Sequence, residues 1–227
     1  MIEALKFEFS YKTDFSNSFR CKSLVGQYDL EDKETIQHYK GNYSLPDKWN
    51  IGLIVGNSGT GKTSIAKNVF GQFSKLDWND KPLIDNFSDK FSMDQITHSL
   101  SSVGFNCVPY WLKPFKVLSN GEKTRVELAR LALENENVVY DEFTSLVDRD
   151  VAKCMSHSVK KLFKSLNKKF VAVTCHHDII NWLEPDWIYN TDTKEYTLPK
   201  SLGGAPSNSI FTESKKPHGT IIKSIII

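Results

Sequence analysis

Residues 56–63 read GNSGTGKT and follow directly on the apolar run IGLIV at residues 51–55. A short, continuous apolar run is the pattern of a strand buried on both faces. A G-x-x-x-x-G-K-[ST] loop leaving such a strand and opening a helix restricts the fold more than any other feature of the chain. Phosphate binding needs several donors converging on one anion, and Gly56 and Gly61 let the backbone wrap closely enough to turn successive N–H groups inward. The helix expected from about Lys62 to Phe70 adds its positive end. Asn57, Ser58, Gly59, Thr60 and Ser64 complete the expected cradle. Lys62 is expected to reach the β- and γ-phosphates of ATP, and the Thr63 hydroxyl to be a ligand of Mg2+.

Elements on either side support an α/β fold. From Lys6 to Leu45, stretches such as KFEFSYK, SFRCKSLVGQYDL and the region around Tyr43 alternate like strands, so an antiparallel β portion is expected at the N-terminus. PLIDNF at residues 82–87 reads as a further strand. Met93, Ile96, Leu100 and Val103 share helical spacing, and Gly121 to Leu133 is a second helix. Strand, helix and strand then follow as NVVYD, a helix from about Val151 to Leu166, and FVAVT, the order that builds a mostly parallel sheet flanked by helices. The expected organisation is one domain over residues 1–200, with a small helical insert at about 87–120. A tail at 201–227, rich in Ser, Gly, Pro and Lys, reads as a connector and a truncated end.

Composition excludes several function classes. Lys and Arg number 29 against 27 Asp and Glu, so the net charge of +2 gives no global field for nucleic acid or an anionic membrane. The four cysteines, Cys21, Cys107, Cys154 and Cys175, are scattered, which speaks against a disulfide framework or a zinc ribbon and for a reducing, cytoplasmic setting. No apolar run approaches the ~18 residues needed to span a bilayer, and MIEALKFEFS has no signal-peptide pattern.

NVVYDE delivers Asp141 and Glu142 to the carboxyl edge of the sheet, where ligands bind in such folds. Asp141 is expected to hold magnesium through water. Glu142 is the candidate general base for an attacking water.

LSNGEKTRVELARLAL, Leu118 to Leu133, resembles the signature segment of the ABC-type ATPases, usually written LSGGQ, with Arg125 at the matching place. Asn120 and Glu122 replace a Gly and a Gln of that pattern. The resemblance implies that Ser119, Asn120 and Gly121 offer a helix N-terminus to the γ-phosphate on a partner protomer, in a head-to-tail homodimer. Downstream, FTSLVD resembles PTSALD, placing Asp148 as the D-loop aspartate, with Phe143 where Pro is common, at what reads as a surface turn. VTCHHD resembles the switch segment, with His177 the expected γ-phosphate sensor and His176 the competing register. The Gln that the family carries between loop and signature has no counterpart, and Asp85 or Asn86 stands in its place. Tyr39 and Tyr43 are the upstream candidates for stacking on adenine.

Only 55 residues lie between Lys62 and Leu118, which leaves a small insert with Tyr110, Trp111, Leu112, Pro114 and Phe115 in one run. That run reads either as a partner-docking surface or as ordinary packing. PYWLKPFKVLSNGEK and CHHDIINWLEPDWIYN resemble a group of soluble phage or prophage ATPases, some continuing into an acetyltransferase-like domain. Three outputs follow: a soluble ATPase acting on nucleic acid or a phage-related complex, the nucleotide-binding subunit of a transporter, or a binding switch with little turnover. The small insert and the missing Gln favour the first or the third.

Overall fold

The computed structural model describes residues 4–13, 18–28 and 35–199. Its centre is a five-stranded sheet in the order β4-β5-β3-β6-β7, built from β3 (Ile51–Val55), β4 (Asn137–Tyr140), β5 (Lys169–Thr174), β6 (Trp187–Asn190) and β7 (Glu195–Thr197). β4, β5, β3 and β6 are parallel, and β7 pairs antiparallel with β6. The expected α/β class and mostly parallel sheet are therefore present.

Alternate residues of each central strand feed two separate cores, which is why these strands read as continuous apolar runs. Ile51, Leu53 and Val55 of β3, with Phe170 and Ala172 of β5, face one core. That core is filled by helices α3 (Met93–Ser102), α5 (Asn120–Glu134), α6 (Arg149–Ser165) and α7 (Ile179–Leu183). Ile54, Val171, Val173, Trp187 and Tyr189 face the other, where α2 (Lys62–Phe70) and the antiparallel pair of β1 (Ala4–Thr13) and β2 (Thr35–Ser44) cover them. On α6, Ala152, Met155, Val159 and Leu162 are buried at the spacing of one helical face.

Three local expectations are corrected. The described part of SFRCKSLVGQYDL, residues 18–28, contains a helix, α1 (Phe19–Gln27), and no strand; Ser18 caps it by accepting from the Cys21 N–H. None of its residues is buried, so an alternating pattern here reports exposure and has no sheet to serve. PLIDNF is a 3₁₀ turn, Leu83–Asn86, anchored by the Leu83 N–H on the Lys113 carbonyl. Its four helical residues bury only Leu83 and Asn86, too few to form a strand edge. Phe143 is fully buried, edge-on to Phe170 and Tyr140 with ring centroids at 5.5 and 6.3 Å, and so lies in the core, not at a surface turn.

The insert's aromatic run divides. Trp111, in the short helix α4 (Val108–Trp111), is buried and donates its indole N–H to the Phe105 carbonyl at 2.9 Å. Phe115 stacks on Trp78 with centroids 4.1 Å apart. Leu112 and Val117 stay exposed. The C-terminal tail expected at 201–227 lies outside the described residues.

Phe143 fills a site bounded by rings on both sides, so truncating it leaves a cavity that neighbours cannot close. Phe143→Ala is expected to lower unfolding free energy by about 3–5 kcal/mol in urea denaturation, with secondary structure retained.

Candidate functional site

The Gly56–Thr63 loop leaves β3 and enters α2 through Gly61, the helix N-cap, whose φ of 86° is in the left-handed region. A side chain there would be strained by the backbone and would also strike the Tyr39 ring, 2.4 Å from an added Cβ. Tyr39 thus packs against the loop itself, stacked on Phe9 at 4.9 Å and donating its hydroxyl to Gln37. Tyr43, the second candidate, is turned elsewhere: it stacks on Tyr196 and donates to the Lys194 carbonyl. Lys62 is buried, and its ammonium donates to the Asn57 carbonyl at 2.7 Å across the loop. Thr60 also donates to that carbonyl.

Thr63, in the first turn of α2, donates its hydroxyl to Asp141 Oδ2 at 2.8 Å. Asp141 stands at the end of β4, so this bond brings the loop and the acidic strand end to one point. The turn after Asp141 is unusual. Glu142 and Thr144 both adopt positive φ, 53° and 69°, a conformation that costs a non-glycine residue on the order of 1–3 kcal/mol. The Phe143 N–H is bonded to the Val173 carbonyl of β5, and its ring drops into the core, leaving Glu142 exposed. The Glu142 carboxylate accepts from the Ser145 hydroxyl at 2.7 Å.

The two histidines of the switch segment part company. His176 Nδ1 is 3.2 Å from the Thr144 hydroxyl, which places it against the turn that carries Glu142. Burial and the nearby Arg149 hold its pKa below the ordinary histidine value, although Asp178 and Glu142 pull the other way. His177 lies instead with Nε2 3.8 Å from Asp192 Oδ2. Asp192 accepts the Asn57 N–H on both carboxylate oxygens at 3.0 Å. Neither Asp192 nor its neighbour Thr191 was singled out among the candidate residues. In sequence they are two polar residues in a turn, and only the fold shows that the turn closes on the loop.

At the N-terminus of α5, Ser119 and Glu122 form a complete capping box. Glu122 Oε2 accepts both the backbone N–H and the hydroxyl of Ser119, at 2.9 and 2.8 Å. These bonds from Ser119, opposed by slight burial, hold the Glu122 carboxyl below its ordinary pKa. Gly121 packs against Val147 of the segment after Glu142, and Arg125 fastens the helix start to the Gly104 carbonyl. Farther along α5, half-buried Glu127 accepts from the Tyr140 hydroxyl at 2.9 Å, joining this helix to the strand that carries Asp141. Asp148 N-caps α6 through the Val151 N–H.

The position of the absent Gln is not filled by Asn86. That side chain is buried and spends its amide on the Lys81 and Pro82 carbonyls and on the Asn79 N–H. Asp85 is exposed.

A hydroxyl and a carboxylate in contact, Thr63 and Asp141, are hard oxygen donors of the kind magnesium takes. No cluster of three or more His, Cys, Asp or Glu suited to a metal occurs among the described residues.

No family model matches the chain. It is 23% identical over 209 residues to the energy-coupling factor transporter ATP-binding protein EcfA1 of Leuconostoc mesenteroides, covering 73% of this chain and 74% of that one. The cbiO1 structure from Clostridium perfringens, described as part of the ABC transporter complex cbiONQ, superposes with a TM-score of 0.54 at 19% identity, over 67% of this chain and 78% of the other. The ATP-binding cassette MJ0796, solved as a dimer bound to ADP and Pi, gives a TM-score of 0.56 at 15% identity, over 76% and 96%. Among the described residues no helix is long and apolar enough to cross a membrane.

Glu127 supplies a pH test of the α5–β4 joint. Burial raises its pKa above the ordinary 4.5, partly offset by the Tyr140 bond, so the folded state holds this proton more tightly than the unfolded one. The ionised carboxylate therefore costs stability above the folded-state pKa, and that cost disappears below about 4.5. Glu127→Gln, which still accepts from Tyr140, is expected to unfold at a higher temperature than the unaltered protein at pH 7 and to lose that advantage at pH 4. In architecture the chain shares the fold of solved ATP-binding cassettes, and in sequence it is similar to ABC transporter ATP-binding proteins.

Proposed function

We propose that the chain binds MgATP and hydrolyses it in a site completed by a second copy. The observation that carries this reading is the Thr63–Asp141 hydrogen bond, which sets a phosphate loop and an acidic strand end within one coordination distance of each other. Gly56 to Thr63 would hold the phosphates, with Lys62 released from the Asn57 carbonyl to neutralise the β- and γ-oxygens. Thr63 directly, and Asp141 through water, would hold magnesium, which when bound draws charge from the phosphate oxygens.

Glu142, exposed and adjacent to Asp141, would take the proton of the attacking water. Its hydrogen bond from Ser145 and its left-handed backbone fix the carboxylate relative to the metal ligand. His176, neutral at physiological pH and in contact with Thr144, is better placed than His177 to read the γ-phosphate beside that turn. Tyr39, packed on Gly61, is the aromatic that lies at the loop. Ser119, Asn120 and Gly121 would meet the nucleotide of the partner copy, and the dimeric MJ0796 cassette supports that arrangement.

For the output, the relatives support the subunit of a membrane transporter over the nucleic-acid or phage-related reading, because EcfA1 is named for an energy-coupling factor transporter and cbiO1 for an ABC transporter complex. Exposed Leu112 and Val117 on the insert supply apolar surface for such a partner.

Glu142→Gln is expected to lower steady-state ATP turnover by roughly 10²-fold or more and to leave ATP binding intact. The same variant with ATP is expected to elute as a dimer in size-exclusion chromatography. Turnover unaffected by the substitution would remove Glu142 from the mechanism, and a monomer under those conditions would remove the shared site. His176→Ala is expected to reduce kcat more than His177→Ala does.

A further inference from the structure

We propose that Asp192 is a positioning residue that ties His177 to the first half of the phosphate loop, so that His177 sets nucleotide affinity through Asp192 and does not touch the γ-phosphate. The proposal rests on the ATPase reading for its kinetic consequence, but the linkage itself is a property of the nucleotide-free protein.

The turn that joins β6 to β7 grips the loop at several points. The Thr191 N–H donates to the Val55 carbonyl at 2.8 Å, extending β6 alongside the end of β3. The Thr191 hydroxyl lies 2.6 Å from that of Thr60, and so close to Gly56 that a Cβ on Gly56 would stand 2.1 Å from it. Asp192 adds the charged contact, with both carboxylate oxygens 3.0 Å from the Asn57 N–H. Bonds of this kind to an ionised acceptor are about twice as strong as neutral ones.

The turn is held in shape independently of the loop. Asn190 Oδ1 accepts the N–H groups of Asp192 and Thr193 at 2.9 and 3.4 Å, so the Asp192 backbone is set before its carboxylate meets Asn57. On its other side the same carboxylate has His177 Nε2 at 3.8 Å, beyond hydrogen-bond reach and within ion-pair distance when the ring carries a proton. Asp192 is one-quarter exposed and His177 about half, so the pair is partly shielded while its other edge stays open to solvent. A chain of three groups results: the backbone of Asn57, the Asp192 carboxylate and the His177 ring. Asn57 is also the residue whose carbonyl takes the Lys62 ammonium and the Thr60 hydroxyl. Asp192 thus holds the peptide on one side of the Asn57 Cα, and Lys62 and Thr60 bind the carbonyl on the other, so the Asp192 bond restrains the residue from which Lys62 must leave to meet a phosphate.

A residue acting on the resting shape of the loop changes binding more than chemistry. A residue touching the γ-phosphate changes the chemical step. The test compares Asp192→Ala, Asp192→Asn, His177→Ala and the Asp192→Ala/His177→Ala double variant. It measures equilibrium binding of a fluorescent ATP analogue, steady-state ATP turnover, and amide hydrogen exchange of the peptide spanning residues 56–63 without nucleotide.

Asp192→Ala is expected to weaken nucleotide binding about tenfold, the order of one lost charge-assisted hydrogen bond, with kcat within about twofold. Asp192→Asn, whose amide oxygen still accepts from Asn57, recovers most of that affinity. His177→Ala weakens binding in the same direction, and the double variant is no weaker than Asp192→Ala alone, the sign of two groups acting in one chain. Exchange in residues 56–63 speeds up in both single alanine variants, while peptides of α6 are unchanged. Lower kcat at unchanged affinity in His177→Ala, additive losses in the double variant, or unchanged exchange in residues 56–63 would each overturn the proposal. If the unaltered protein bound no ATP, the ATPase reading would fail, and the exchange measurement would still decide whether Asp192 links His177 to the loop.

Discussion

The proposed site depends on one short contact, the hydroxyl of Thr63 on the carboxylate of Asp141. The two residues are 78 positions apart and come from different units, the first turn of α2 and the end of β4. They meet because β3 and β4 are parallel strands flanking β5, so both chains emerge at the same edge of the sheet. A parallel sheet thus delivers a phosphate loop and an acid to one line, and the side chains need only reach across the width of a strand. If β4 shifted register by one residue, Asp141 would turn to the opposite face and the contact would vanish.

Register is protected by how the turn beyond Asp141 is buried. Phe143 occupies the core between Phe170 and Tyr140, and its N–H is bonded to β5. A proline here would lack that N–H. The backbone meets the geometry by placing Glu142 and Thr144 at positive φ on either side of the buried ring. Strain of this kind persists only where surrounding packing determines it. The consequence is that Glu142 faces solvent next to Asp141, and Thr144 faces His176.

The parts of this arrangement that were legible in the sequence are those carried by periodicity or by fixed spacing. IGLIV, NVVY and FVAVT announced buried parallel strands, and the helices at 62–70, 93–102 and 120–134 lie where their apolar spacing or cap residues put them. The loop, Asp141 and Glu142 followed from motif and position. What was not legible depends on tertiary neighbours. SFRCKSLV alternates like a strand but has no sheet beside it. Phe143 resembles a surface substitution until Phe170 is known to lie beneath it. Asp192 reads as a turn residue until the turn folds back on Asn57, 135 positions earlier. His176 and His177 are adjacent in sequence and chemically identical, so only the neighbours Thr144 and Asp192 tell them apart.

The same reasoning applies to the signature segment, where the departure from Gln to Glu has a physical meaning. A helix N-terminus attracts anions because its first N–H groups lack partners and its dipole is positive there. In this chain Glu122 already takes the Ser119 N–H and hydroxyl, and its carboxyl is held ionised below the ordinary value by those bonds. Ser119 is therefore engaged within its own helix. A phosphate approaching that end would meet a carboxylate competing for the same donors. The capping box thus stabilises the free helix and occupies donors that a ligand at this helix end would otherwise meet.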